Sequence, residues 1–195
     1  FEYQGQKMKK PVFVLGSLVH NQDVVNRIEE KGIKKISMDE FEKAKPKEIG
    51  TIIITAHGIG PKAYEIAKTK GIGIIDTTCP KVIKVQRLAE TFMKKGYNLI
   101  LVGDKDHKEV KSIYEWGGEK AIVISNPEEL EEIHPHTKSS HSRNHGNSFS
   151  KLSDDLSTHS RKRRFGVGVN FNPKEKIIIL SQTTQSQDFL AAVYE

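Results

Sequence analysis

Five short apolar runs constrain the fold of this chain more than any other feature of its sequence. Each run is rich in Ile and Val and lacks polar alternation, and a stretch with 3.6-residue apolar spacing follows it. Parallel strands that are covered on both faces have this pattern. The runs cover residues 12–15, 52–54, 72–75, 99–102 and 177–180. The sequence therefore predicts an α/β protein with mainly parallel sheets and helices on both faces.

A residue capable of binding or catalysis follows each run at short range. These residues are His20, His57, Cys79, His107 and Thr183. In open α/β sheets, ligands bind in the crevice beyond the carboxyl ends of the strands. We therefore expect the five side chains to converge on one site, although they lie far apart in the sequence.

An internal repeat divides the chain into two similar units. Gly16 and His20 correspond to Gly103 and His107, and both pairs are separated by 87 residues. His57 corresponds to Thr183 at a separation of 126 residues. This separation exceeds that of the first two pairs, 87 residues, so the second unit requires an insertion of about 39 residues. We predict two pseudo-symmetric, three-stranded units at residues 1–79 and 80–195, with the insertion at about 134–172.

Composition narrows the class of protein. The 195 residues carry a net charge of +6, which favours anionic partners, and the single Cys excludes an internal disulfide. A reducing, cytoplasmic setting is therefore expected. The insertion is rich in Ser, His, Arg and Asn and poor in large aliphatic residues, which is typical of a mobile loop. Helices are predicted at about 23–31, 61–70, 80–95, 108–116, 127–133 and 187–194.

Cys79 lies between a predicted strand and a predicted helix that opens with Pro80. Free N–H groups and the dipole at a helix N-terminus stabilise a thiolate, so Cys79 is a candidate metal ligand or nucleophile. A buried structural cysteine is the alternative. A phosphatase nucleophile is disfavoured, because Val85 stands where such a loop has Arg.

Every His outside the predicted insertion lies just beyond a strand: His20, His57 and His107. Imidazoles beside helix N-termini form a binding site for phosphate or diphosphate. Glu109 adds a carboxyl group to this cationic pocket, which suits proton delivery. Caps of helices and turns, and an acid in a first helical turn, are the structural alternatives for these residues.

Five motifs of this chain occur in the order and approximate spacing of one enzyme family. They are LGSLVHN at 15–21, TAHGI at 55–59, DTTCP at 76–80, VGDKDHKEV at 102–110 and SQTT at 181–184. On these motifs the chain resembles the 4-hydroxy-3-methylbut-2-enyl diphosphate reductase family of the non-mevalonate isoprenoid pathway. The resemblance covers nearly the whole chain outside the insertion and the first ten or so residues.

The resemblance implies an iron–sulfur oxidoreductase that removes the allylic hydroxyl and yields isopentenyl and dimethylallyl diphosphates. It implies a 4Fe-4S cluster on three cysteines, with Cys79 as the middle ligand, and electrons from a ferredoxin or flavodoxin. By the same resemblance, His20, His57 and His107 bind the diphosphate. Glu109 is then the proton-relay acid, and Thr183 lies near the substrate alcohol.

The departures from the family pattern bear on activity. The family has three α/β units and three cluster cysteines, whereas this chain matches two units and has one cysteine. One thiolate is too few for a cluster that needs three or four protein ligands. We therefore expect a fragment that is inactive on its own. The family resemblance also places the protein in the plastid if the source is a plant or an alga.

Three alternatives remain open. Cys79 with two or three of the histidines is chemically adequate for zinc. The segment from Gly58 to Ala63 has the loose pattern of a dinucleotide-binding turn, with Asp76 after the next strand. Arg161, Lys162, Arg163 and Arg164 form a basic run in the insertion that is a weak candidate for binding nucleic acid or an acidic protein.

Overall fold

The computed structural model describes residues 2–3, 6–16, 22–118, 121–131, 176–187 and 190–191. His20, the predicted insertion at 134–172 and its basic run lie outside these residues. The elements, in chain order, are β1 Glu2–Tyr3, β2 Gln6–Lys7, β3 Val12–Leu15, α1 Gln22–Glu30, β4 Ile33–Ile36, α2 Met38–Lys43, β5 Thr51–Ile54, α3 Pro61–Lys70, β6 Gly73–Asp76, α4 Pro80–Lys94, β7 Asn98–Val102, α5 Lys108–Gly117, β8 Ala121–Ile124, α6 Glu128–Glu131 and β9 Ile177–Ser181.

Two parallel sheets carry the fold, which confirms the predicted α/β class. The first has the order β4-β3-β5-β6 and the second the order β8-β7-β9. β3 and β7 are the corresponding strands of the repeat, and each pairs in parallel with two neighbours. The first sheet has four strands rather than the predicted three, because β6 pairs in parallel with the outer side of β5.

Burial follows the strand pattern in each sheet. In the first sheet, Ile52 packs with Phe41 of α2 and Ala67 of α3. All five residues of β7 are buried. Successive side chains of a strand point to opposite faces, so these residues serve two cores. Leu99 and Leu101 pack with residues of α4 and α5 on one side, and Ile100 and Val102 pack with β8 on the other.

The apolar spacing located most helices to within about a residue or two. Pro61 and Pro80 occupy the first helical turns of α3 and α4 as expected. The predicted last helix is helical at 187 and 190–191, and its other positions lie outside the described residues. Helix α2 was not predicted, although Ser37 and Glu40 form a capping box that the sequence pattern S-x-x-E signals.

All strands of the first sheet precede residue 79 in the chain, and all strands of the second sheet follow it. The division into two domains at this residue stays a prediction. Among the described residues, no helix has the length and apolar character needed to cross a membrane.

Candidate active site

The turn after β5 carries His57. Gly58 closes this turn, since its N–H donates to the Thr55 carbonyl oxygen at 2.9 Å. The φ angle of Gly58 is +71°, in the left-handed region that L side chains rarely adopt. His57 is half-buried and lies at the carboxyl end of the first sheet, as predicted.

Cys79 lies beside this turn. Its backbone N–H donates to the carbonyl oxygen of Ala56 at 2.9 Å, which fixes it next to the residue that precedes His57. Cys79 is the N-cap residue of α4 and its side chain is half-buried. The thiol therefore stands at a helix N-terminus with partial access to solvent.

Asp76 anchors the segment that leads to Cys79. One of its carboxylate oxygens, Oδ1, accepts from the Thr78 backbone N–H at 2.9 Å and from the Thr78 hydroxyl. The other, Oδ2, accepts from the Tyr64 hydroxyl at 2.7 Å. Burial, together with the neighbouring Asp76 carboxylate, raises the pKa of Tyr64 well above its ordinary value, so Tyr64 stays a proton donor to Asp76.

His107, which follows β7 of the second sheet, faces His57. The two rings meet edge to face, with centroids 5.3 Å apart and an interplanar angle of 80°. His107 is the N-cap of α5, and its Nδ1 accepts from the Glu109 backbone N–H at 3.3 Å. An accepting Nδ1 leaves Nε2 as the nitrogen that donates. The two imidazoles thus form one polar cluster that links the loop after β5 to the loop after β7.

Glu109 lies in the first turn of α5 and is only 2% exposed. Its carboxylate accepts from the Thr183 backbone N–H at 2.6 Å and from the Thr183 hydroxyl at 3.0 Å. Thr183 is an exposed residue two positions beyond the end of β9. A buried acid is therefore joined to the hydroxyl of an exposed residue at the carboxyl end of the second sheet.

The predicted residues that the structure describes are joined by direct contacts. Cys79 contacts the His57 turn, His57 contacts His107, and His107 bonds to Glu109, which in turn bonds to Thr183. His20 lies outside the described residues. Its strand, β3, is the hydrogen-bonded neighbour of β5, which leads to His57.

Sequence reasoning missed the polar residues that support this site. Gln86 of α4 donates through Nε2 to the Ser112 hydroxyl of α5 at 3.0 Å, and both are buried. Gln182 is also buried, and its Oε1 accepts from the Asp104 N–H at 3.2 Å, beside Gly103. A polar residue on the inner face of an amphipathic helix was the available signal for Gln86 and Ser112.

Two of the alternative sites lack support in this geometry. Across the described part of the chain, no group of three or more His, Cys, Asp and Glu side chains is arranged to hold a metal ion. A zinc site of Cys79, His57 and His107 is therefore not formed, and one that needs His20 lies outside the described residues.

The glycines of the loose dinucleotide pattern face protein rather than open space. A Cβ at Gly58 would lie 2.4 Å from Gln86 Nε2, and a Cβ at Gly60 would lie 1.8 Å from Glu115 Oε2. Side chains of α4 and α5 thus occupy the room that a pyrophosphate would need. The two glycines allow close packing of the loop after β5 against α4 and α5.

Comparison with known proteins assigns the family. The sequence profile of the LytB protein family matches residues 2–195. This chain belongs to the LytB protein family. Among LytB relatives, 4-hydroxy-3-methylbut-2-enyl diphosphate reductase of Caldanaerobacter subterraneus is 40% identical over 133 residues, covering 68% of this chain and 46% of the relative. The reductase of Helicobacter pylori strain Shi470 is 41% identical over 119 residues, covering 61% and 42%.

Solved structures give the same family at the level of the fold. The E-1-hydroxy-2-methyl-but-2-enyl-4-diphosphate reductase of Plasmodium falciparum matches 95% of this chain and 46% of its own length, with 26% identity and a TM-score of 0.66. A second such reductase, the terminal enzyme of the non-mevalonate pathway, matches 93% of this chain and 50% of its own length, with 26% identity and a TM-score of 0.59. This LytB family chain thus spans half or less of the length of these relatives.

Proposed function

We propose that this chain forms part of a reductase that removes the allylic hydroxyl of 4-hydroxy-3-methylbut-2-enyl diphosphate. In the overall change the carbon–oxygen bond breaks and a carbon–hydrogen bond forms. Two electrons and two protons enter, and the hydroxyl leaves as water. Isopentenyl and dimethylallyl diphosphates are the products, and the electrons come from a ferredoxin or flavodoxin in the cytoplasm or, in a plant or alga, in the plastid.

One observation carries the proposal for the site. Two imidazoles are in contact near a buried carboxylate at the carboxyl ends of the sheets, and the backbone of Cys79 is hydrogen-bonded to the His57 turn, in a member of the LytB family. Imidazole N–H groups bind a diphosphate through charge-assisted hydrogen bonds. We assign this role to His57 and His107, together with His20.

We assign proton delivery to the pair of Glu109 and Thr183. The Glu109 carboxylate is buried and hydrogen-bonded to the hydroxyl of Thr183, an exposed residue, so a proton can pass between a protected acid and the edge where we place the substrate. We assign Glu109 as the acid that supplies the proton and Thr183 as the hydroxyl that faces the substrate alcohol.

The 4Fe-4S cluster of the proposal does not fit this chain by itself. Cys79 supplies one thiolate of suitable chemistry, whereas such a cluster needs three or four protein ligands. The described residues also contain no group of three or more acidic, His and Cys side chains arranged to hold a metal. We propose that Cys79 is one ligand and that the others lie beyond these 195 residues, and we expect no reductase activity from this segment alone.

Titration with inorganic pyrophosphate tests the assignment of the histidines. Calorimetry on the 195-residue chain should detect binding, and His57→Ala and His107→Ala should each weaken it by about 1.5–3 kcal/mol, the value of a hydrogen bond to a charged group. Lys94→Ala is the matched control, because it removes a positive charge that is paired with Glu90 near the far end of α4. Absence of binding to the unmodified chain, or equal losses in all three variants, would contradict the proposal.

A further inference from the structure

A buried polar pair lies beneath the two imidazoles. Gln86 and Ser112 are each 4% exposed, and they meet across the interface of α4 and α5. Apolar residues such as Ala89, Val110 and Ile113 fill most of the buried faces of these helices. Buried polar groups are retained only where they are hydrogen-bonded, so the contacts of this pair indicate what it holds in place.

The Ser112 hydroxyl joins elements from both units. Its oxygen lies 3.0 Å from the carbonyl oxygen of His57 and 2.9 Å from that of Glu109. A hydroxyl has one proton and two acceptor positions, so Ser112 accepts from Gln86 and shares its proton between the two carbonyls. One side chain thereby ties the His57 turn to the first turn of α5, which follows His107.

Gln86 of α4 contacts the turn that carries His57. A Cβ at Gly58 would lie 2.4 Å from Gln86 Nε2 and 2.9 Å from the Thr78 side chain. The Gln86 amide therefore packs directly on the backbone of the residue after His57. Since Gln86 and Cys79 belong to the same helical segment, the turn is held against the element that begins at Cys79.

We infer that Gln86 and Ser112 are positioning residues that hold the His57 imidazole in contact with His107. The pair touches the backbone of the His57 turn on two sides and is itself buried, so it acts through His57. The inference rests on the proposed function in one respect, which is the anion that the two imidazoles bind. The positioning itself is a property of the described residues.

The test uses nuclear magnetic resonance and pyrophosphate titration on the 195-residue chain. Ser112→Ala removes the hydroxyl, and Gln86→Met removes the amide at similar length. Each variant should abolish the nuclear Overhauser contact between the His57 and His107 rings. Each should also weaken pyrophosphate binding about 2- to 12-fold, which corresponds to one net hydrogen bond.

Three further variants separate positioning from general loss of stability. Ile113→Val trims a buried residue next to Ser112 that packs in the apolar core, so it should lower stability and leave the ring contact and affinity unchanged. Ser112→Thr keeps the hydroxyl and should restore both readouts. The double variant of Gln86 and Ser112 should lose little more than Ser112→Ala, because that single variant already removes the hydrogen bond that the two residues share.

The possible results for these variants lead to different conclusions about positioning. Retention of the ring contact and of wild-type affinity in Ser112→Ala overturns the inference. Equal loss in Ile113→Val also overturns it, since the effect would then be one of stability. Should Ser112→Ala fail to fold, Gln86→Met carries the same test with the hydroxyl in place. A wild-type chain that binds no pyrophosphate contradicts the proposed function, while the ring contact still decides the positioning.

Discussion

Glu109→Gln separates the chemistry of the acid from its structural role. The Glu109 carboxylate faces two donors, the backbone N–H and the hydroxyl of Thr183, at 2.6 and 3.0 Å. An amide in its place keeps one carbonyl acceptor for the backbone N–H. Its NH₂ group then donates to the Thr183 hydroxyl, which can reverse its role because a hydroxyl is both donor and acceptor. The fold should therefore tolerate the change.

The expected loss of stability is small. Hydrogen bonds to charged groups contribute about 1.5–3 kcal/mol and neutral ones about 0.5–1.5 kcal/mol, so two weakened bonds cost about 2–3 kcal/mol. Relief from burying a charge in a residue that is 2% exposed opposes this loss. We expect the free energy of unfolding of the 195-residue chain to fall by less than about 2 kcal/mol, as measured by denaturant titration.

The expected loss of activity is much larger. A positioned proton donor contributes about 10²- to 10⁴-fold to rate, and the amide cannot supply a proton. In a full-length reductase that contains this segment, anaerobic turnover of the allylic diphosphate should fall by that factor. Pyrophosphate affinity should stay within a few-fold of wild type, because the imidazoles are unchanged.

Glu129→Gln provides the matched control for charge. Glu129 of α6 is also a hydrogen-bonded carboxylate, but its partners are Lys105, Ser125 and Asn126 rather than Thr183. This variant should retain turnover. A full-length Glu109→Gln enzyme that turns over at the wild-type rate would refute the proton-relay assignment.

Two further predictions concern the cluster ligand and acid stability. In the full-length enzyme, Cys79→Ser should abolish the visible absorbance and the bound iron and sulfide of the cluster. In the 195-residue chain, where one cysteine is too few to hold a cluster, the same variant should leave thermal stability nearly unchanged, since the Cys79 contact with Ala56 is made by the backbone. Retention of stoichiometric iron and sulfide in the full-length variant would contradict the ligand assignment. Burial acts to raise the pKa of Glu129, but hydrogen bonds from Lys105, Ser125 and Asn126 and the charge of Lys105 lower it below the ordinary value of 4.5. Its contribution to stability is therefore complete above pH 4.5 and is lost as the pH falls through the lowered value. Glu129→Gln should thus flatten the fall of the melting temperature below that pH, and identical slopes would count against the linkage.

The class of fold, and the edge of the sheet at which the candidate residues lie, could be predicted from the sequence. Short Ile- and Val-rich runs specify buried parallel strands, because a strand covered on both faces has no polar side. The repeat located β3 and β7 as corresponding strands. It could not show that β6 joins the first sheet, because pairing between strands is made by backbone groups that the pattern of side chains does not specify.

The sequence alone predicted which residues carry chemistry, and it determined which end of their strands they follow. It could not determine which of them touch. The contact of His57 with His107 and the bonds from Thr183 to Glu109 join residues far apart in the chain, and they depend on how α4 and α5 pack. The role of Gln86 and Ser112 could be inferred only from the tertiary structure, because the role of a buried polar side chain depends on the partners that tertiary packing brings to it.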